Sequence, residues 1–286
     1  MIEYENKIVL GDCLEILPQL PNKIFDLIII DLPYNLKKDF QNDNFSSFDF
    51  KKLLKKWMKE IILKLKENGS IYIFMGHDYK EYLRRMLSKH LIFKRELIWW
   101  YKDYGIKWGK GNYLSEFDSI LFFVKSDNYI FNSIKREPSK STLKRWSKYA
   151  DTDGFIDWKY LPPYHKIKYK TEENYNKNGK WNINVGKRMG NVFCIPRVSR
   201  GNNPEKKFGN HPTQKPEALI ENFIKVSSNE NDLIGDFFMG SGTTCVVAKK
   251  LRRKYFGCEI ESKYCEIAKK RLNDINVYQN ITKFFK

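Results

Sequence analysis

The 286-residue chain lacks the raw material of a metal centre or a disulfide framework. Its five cysteines, Cys13, Cys194, Cys245, Cys258 and Cys265, are odd in number, and no pair stands at metal-ligand spacing. The four histidines are scattered at 77, 90, 165 and 211, so no metal is expected. No apolar run approaches the ~20 residues of a membrane span. The N-terminus is acidic and polar, unlike a signal peptide, and the expectation is a soluble, cytoplasmic chain without membrane contact. No Gly-Lys-Ser/Thr follows a glycine-rich turn, which speaks against a P-loop. Internal repeats are absent. Acidic residues are scarce: 34 Asp and Glu face 52 Lys and Arg, a net charge of +18 with a pI near 9.5. Such a field attracts polyanions, and nucleic acid is the usual one. A membrane surface is the other candidate, but no long amphipathic Lys/Arg helix is present to meet it.

What remains is globular in composition, with 42% hydrophobic and 30% charged residues. The length can bury a substantial core, as one large domain or two small ones. The first ~125 residues alternate strand and helix patterns, as βαβ units do. Strands are expected over 7–10, 25–30, 70–75, 92–101 and 119–125, with helices over 13–20, 48–66 and 79–88. Asn68-Gly69 reads as the stop signal of the second helix. After Gly209 the alternation returns, with helices over 216–226, 243–251 and 262–273 and strands over 232–235 and 255–259.

Between these regions the texture changes. From Ser133 to Gly209 there are 18 Lys/Arg against 7 Asp/Glu, a net of +11. Aromatics interleave with them, among them Trp146, Tyr149, Trp158, Tyr164 and Trp181. Basic residues neutralise phosphates while aromatics contact bases. A solvated lysine-rich insertion around a small aromatic core is the alternative.

Two strand ends carry the chemistry. The apolar run 25–30 stops at Asp31-Leu32-Pro33-Tyr34-Asn35, and the run 232–235 stops at Asp236-Phe237-Phe238-Met239-Gly240-Ser241-Gly242. Ligands of parallel α/β sheets bind at such carboxyl ends. Gly240 and Gly242 between strand and helix let backbone N–H groups approach a ligand. The third glycine of a dinucleotide fingerprint is missing, since Cys245 takes its place. Glu259 ends the next strand, where an acid can accept both ribose hydroxyls of an adenosine-type cofactor. A surface glutamate at a strand end is the bland reading. At the other turn, one carboxylate and one carbonyl can accept both hydrogens of an exocyclic amine, with Tyr34 beside them to stack on a base. An ordinary Asp-Pro turn with a packed tyrosine fits that segment equally well.

Together these segments resemble the S-adenosylmethionine-dependent DNA amino-methyltransferases, with their (D/N/S)PP(Y/F) catalytic and FxGxG cofactor motifs. The catalytic motif comes first here, the permuted order of the β group. His211-Pro212-Thr213-Gln214-Lys215-Pro216 matches the motif preceding the cofactor strand, and Ser115–Lys125 resembles the one before the recognition segment. The resemblance implies a Rossmann-like α/β fold: a mixed, mostly parallel seven-stranded sheet with helices on both faces. Residues 1–126 and 210–286 would form the catalytic domain, and 127–209 a target-recognition insertion. It implies that Asp31, Leu32, Pro33 and Tyr34 are catalytic. The second motif position is usually proline, and Leu32 supplies the same backbone carbonyl. S-adenosyl-L-methionine is the implied cofactor. Thr213 and Lys215 would hold its carboxylate and Asp236 its amino group. Glu259 would take its ribose, Ile260, Asp12 and Cys13 its adenine. Phe238, Gly240, Ser241, Gly242 and Thr243 would supply the loop.

The implied substrate is double-stranded DNA, methylated at N6 of a flipped-out adenine in a restriction–modification setting. A second copy of the chain and a separately encoded restriction endonuclease are the protein partners compatible with the resemblance. The DNA-contact candidates are Lys135, Arg136, Lys144, Arg145, Arg188, Arg197 and Arg200, undivided between bases and phosphates. No Pro-Cys nucleophile motif is present, so no covalent intermediate is expected. N4-cytosine methylation is the nearest rival. RNA or a small amine as substrate, an inactive DNA-binding homologue and an NAD-dependent oxidoreductase are further ones.

Overall fold

The structure is a computed structural model that describes residues 3–35, 45–101, 115–136, 143–145, 147–150, 152, 155–157, 181–182, 187–198 and 203–284. Contacts in space divide it into two compact units: residues 1–132 with 191–286, and residues 133–190.

The larger unit is an α/β sheet of eight strands. These are β1 (Lys7–Leu10), β2 (Phe25–Asp31), β3 (Leu65–Met75), β4 (Ile92–Trp100), β5 (Phe117–Val124), β6 (Val192–Cys194), β7 (Leu233–Asp236) and β8 (Lys254–Glu259). Their order across the sheet is β1-β8-β7-β2-β3-β5-β4-β6. The run from β1 to β3 is parallel, β5 is antiparallel to both β3 and β4, and β6 returns parallel to β4. The expected count of seven is corrected to eight. The extra strand, β6, has only three residues in a Lys/Asn-rich stretch, too few to show a period, and pairs Phe193 with Trp99.

β2 is buried from Phe25 to Ile30, as a central parallel strand covered on both faces should be. Its neighbour β7 is anchored through Asp26, which accepts the Leu233 amide at 2.9 Å and pairs with Lys66 at 2.7 Å. The order β8-β7-β2 has a consequence for the site. Three adjacent parallel strands end, at the same edge of the sheet, in Glu259, Asp236 and Asp31.

Helices α1 (Cys13–Ile16), α2 (Ser47–Lys64), α3 (His77–Leu87), α4 (Glu217–Ser227), α5 (Thr243–Lys250) and α6 (Ser262–Phe284) connect and cover the strands. α2 turns its Phe50, Leu54, Trp57, Met58 and Ile61 into the main apolar cluster. It stops at Lys64, not at Asn68-Gly69, which lie inside β3. The Lys64 ammonium is bonded to the Leu20 carbonyl and Asn22, and Leu65 turns to extended backbone. Gly69 is there for space: a Cβ would sit 2.6 Å from Leu65 Cδ1. α4 is docked by an aromatic stack in which Tyr72 lies between Phe122 and Phe223, each 4.5 Å away. α6 runs past the expected end at 273, carried on by buried Leu272 and Ile275.

In the smaller unit, Lys135–Arg136 pairs antiparallel with Lys187–Arg188, and Phe155–Ile156 pairs antiparallel with Trp181–Asn182. Among the described residues no helix is long and apolar enough to cross a membrane.

Candidate active site

A cleft of about 610 Å³ opens at the acidic ends of β2 and β8. A side cavity of about 40 Å³ adjoins it at the end of β7.

One end of the cleft is built from the β7–α5 turn. Gly240 and Gly242 take φ of +52° and +76°, a backbone region that L side chains rarely adopt. A Cβ on Gly240 would come 2.8 Å from His211 Nε2, and one on Gly242 would come 2.6 Å from Ala268 Cβ. The turn is thus pressed between the 211–216 segment and α6. Arg271 of α6 fastens it, donating to the Ser241 carbonyl (2.9 Å), Ser241 Oγ (3.2 Å) and Thr243 Oγ1 (3.0 Å), with Glu217 at 2.8 Å balancing its charge. Ser241 and Thr243 therefore face Arg271 and the side cavity, and neither lines the main cleft.

Glu259 closes this end. Its Oε2 accepts the Gly240 amide at 2.8 Å and its Oε1 the Glu261 amide at 2.9 Å. Burial pushes its carboxyl up, against the pull of those amides. Each oxygen keeps a lone pair for a further donor. The Gly11 amide donates to the Glu259 carbonyl at 2.8 Å, which brings Asp12 and Cys13 to the cleft wall. Asp12 caps α1 through the Leu14 amide at 2.9 Å, and burial raises the Cys13 thiol. Ile260, next to Glu259, is exposed and also lines the cleft. Asp236 is buried at the side cavity. Burial pushes its carboxyl up to about 7, and the nearby charges of Asp31 and Glu259 add to the rise.

At the other end, Asp31 stands where β2 leaves the sheet. Tyr34 Oη donates to Asp31 Oδ1 at 3.0 Å and Lys215 Nζ to Oδ2 at 2.5 Å. Burial, with Asp31, Asp118 and Tyr101 nearby, raises the Tyr34 phenol. Leu32 is buried in the core cluster, so its side chain anchors the turn from below. Asn35, at φ 56°, bonds the Phe45 amide (2.8 Å), the Phe45 carbonyl and Tyr79 Oη (both 3.1 Å). Pro33, Thr213, Lys215 and Phe238 also line the cleft, Phe238 with its ring 5.0 Å from that of Trp57.

A family model for DNA methylases, N6_N4_Mtase, matches residues 25–270. The chain belongs to this family. The type II methyltransferase M1.MboII of Moraxella bovis is 34% identical to the methyltransferase over 278 residues, 95% of this chain and 98% of its own length. The DNA adenine methyltransferase YhdJ of Escherichia coli K12 is 32% identical, over 95% and 84% of the two chains. Among solved structures, the cytosine-N4-specific PvuII DNA methyltransferase shares the fold at a TM-score of 0.64 and 16% identity, covering 93% of this chain and 86% of its own. M1.HpyAVI in complex with SAM does so at 0.57 and 23% identity, covering 93% and 99%.

The cofactor of this DNA methyltransferase is S-adenosylmethionine, and the residues present fit it. The glycine turn brings Gly240 backbone to the cleft wall, with no side chain in between. Glu259 is poised for two hydroxyl donors, and the buried Asp236 is an acid suited to a cationic partner. Among the described residues there is no cluster that could hold a metal ion.

Of the DNA-contact candidates, Arg197 reaches the cleft, its guanidinium 3.6 Å from the centroid of the Tyr101 ring. Lys135, Arg136 and Arg188 belong to the two-stranded ribbon of the smaller unit, and Lys144 and Arg145 to a single helical turn. Arg200 lies outside the described residues. The sequence analysis gave no role to Arg271, whose buried partners lie 28 to 54 residues away. It also gave no role to His211, whose ring is held neutral, near 3, by burial and by Lys215, Lys206, Lys263 and Arg271.

Proposed function

We propose that the methyltransferase modifies N6 of adenine in double-stranded DNA, in a restriction–modification setting, with residues 127–209 reading the target. The observation that carries this reading is Asp31, a carboxylate at the mouth of the cleft, next to an aromatic ring and one strand away from the acid of the cofactor turn. An acid at the head of the catalytic motif favours adenine, and YhdJ, named for adenine, is 32% identical.

The lone pair of an adenine amine is delocalised into its ring, so the nitrogen is a poor nucleophile. Asp31 and the Leu32 carbonyl would accept its two hydrogens, draw the nitrogen towards a tetrahedral geometry and localise that pair. Tyr34 would stack on the base and offset part of the few kcal/mol that flipping costs. When bound, S-adenosylmethionine supplies a methyl group on a sulfonium. Glu259 would hold its ribose, and Asp12, Cys13 and Ile260 its adenine. Asp236 and Thr213 would hold the amino-acid end, and Phe238, Gly240 and Gly242 would shape the loop. Ser241 and Thr243 would serve indirectly, through Arg271. Positioning and fixed charges, not a covalent intermediate, supply the rate. Lys135, Arg136, Lys144, Arg145, Arg188, Arg197 and Arg200 would meet phosphates and bases. A separately encoded endonuclease of the same specificity is the implied partner.

The test is to express the chain in a methylation-free host and analyse that host's DNA. N6-methyladenine at one short sequence motif is the expected product. N4-methylcytosine would replace the adenine reading, and unmodified DNA would remove it.

A further inference from the structure

The ammonium of Lys215 occupies an unusual place for a cofactor ligand. It is nine-tenths buried and pairs with the acid at the reaction end of the cleft, 2.5 Å from Asp31 Oδ2. The rings of Phe74, Tyr34 and Trp99 stand 5.0, 5.8 and 5.9 Å from it. A desolvated ammonium needs an anion or π faces around it, and here it has one carboxylate and three rings. Lys215 is held over this spot because α4 begins at Glu217 and is docked by the Tyr72–Phe223 stack.

The effect on Asp31 is specific. A carboxylate has about four lone-pair sites. Lys215 takes one on Oδ2 and Tyr34 one on Oδ1, so each oxygen keeps one site and the group cannot rotate without breaking a charge-assisted bond. A further acid, Asp236, ends the neighbouring strand, and its charge and that of Asp31 repel. The Lys215 ammonium offsets that repulsion.

We propose that Lys215 is a positioning residue for methyl transfer: it locks the Asp31 carboxylate in the orientation that accepts the target amine. This rests on the reading of Asp31 as the amine acceptor. It differs from the family's implied role for this lysine, holding the cofactor carboxylate. A positioning residue acts on turnover with cofactor and DNA saturating. A cofactor ligand acts on cofactor affinity.

The experiment compares Lys215→Met, Lys215→Arg and Asp31→Ala, measuring kcat at saturation and the calorimetric Kd for S-adenosylhomocysteine. The expected Lys215→Met result is a kcat lower by about 100-fold with Kd within about threefold of the parent. Lys215→Arg, which keeps a charge and a donor, recovers at least about tenfold of the loss. A Lys215→Met loss that appears in Kd with kcat preserved overturns the proposal. So does a kcat within about threefold of the parent while Asp31→Ala is dead. An Asp31→Ala protein with near-normal turnover removes the reading beneath the proposal instead. If Lys215→Met melts early, Lys215→Gln is judged by the same split between kcat and Kd.

Discussion

At the glycine-turn end of the cleft the lining is backbone, whereas at the Asp31 end it is side chains. The β7–α5 turn offers its glycines and amides, and every element around it is committed to holding that shape: His211 on one side, Ala268 on the other, Arg271 beneath, Glu259 on the Gly240 amide. The Asp31 turn offers a carboxylate and a phenol, held by Lys215 and by each other. The difference teaches where function and stability are inseparable. A change at the cofactor end should unfold as well as inactivate, because its geometry is part of the packing between α5 and α6. A change at the reaction end should leave the fold and lose the chemistry.

The largest effect that can break this contrast is expected at Arg271. Arg271→Met leaves Glu217 and the Ser241 carbonyl without their buried partner, a loss of about 3–5 kcal/mol. Denaturant unfolding checks it, and an Arg271→Met protein of normal stability would mean that the turn does not depend on its brace. A smaller loss, about 1–3 kcal/mol, is expected for Gly242→Ala from its φ of +76° alone, with weaker binding of S-adenosylhomocysteine as Ala268 is displaced. Thermal unfolding and calorimetry on the same sample read both.

Per pH unit, the smallest effect is a slope. The Asp236 carboxyl is raised from the ordinary 3.8 to about 7 in the fold. Between those values the folded chain binds more protons than the unfolded one, so the cofactor-free protein loses stability as pH rises through the window. The loss is at most about 1.4 kcal/mol per pH unit. Asp236→Asn removes the slope, and its melting temperature relative to the parent should climb from pH 4 to pH 7 and then level. Parallel melting profiles would show that Asp236 is not a strained acid.

How much of this was legible in the sequence followed from distance along the chain. The Asp31 turn, the glycine turn and the Glu259 strand end each advertise themselves within a few residues, by an apolar run meeting a carboxylate or a glycine. Their assembly at one sheet edge followed from the βαβ pattern. The contact of Lys215 with Asp31 spans 184 residues and leaves no local trace. Arg271 was invisible for a related reason: its partners, from Glu217 to Thr243, lie 28 to 54 residues away. Asn68-Gly69 misled because the same dipeptide that ends helices also serves a strand needing room beside Leu65. β6 escaped because three residues carry no period. Ser241 and Thr243 sat in the right turn, but their side chains face Arg271.

The central claim is that Asp31 does the chemistry without holding the cofactor or the fold. It is tested most directly by one single-turnover measurement of labelled methyl transfer to DNA by Asp31→Ala, with S-adenosylhomocysteine affinity and melting temperature taken on the same preparation. Transfer is expected to fall by about 1,000-fold or more, with cofactor affinity within about threefold and an unchanged melting temperature. Transfer at a near-normal rate in that protein would contradict it.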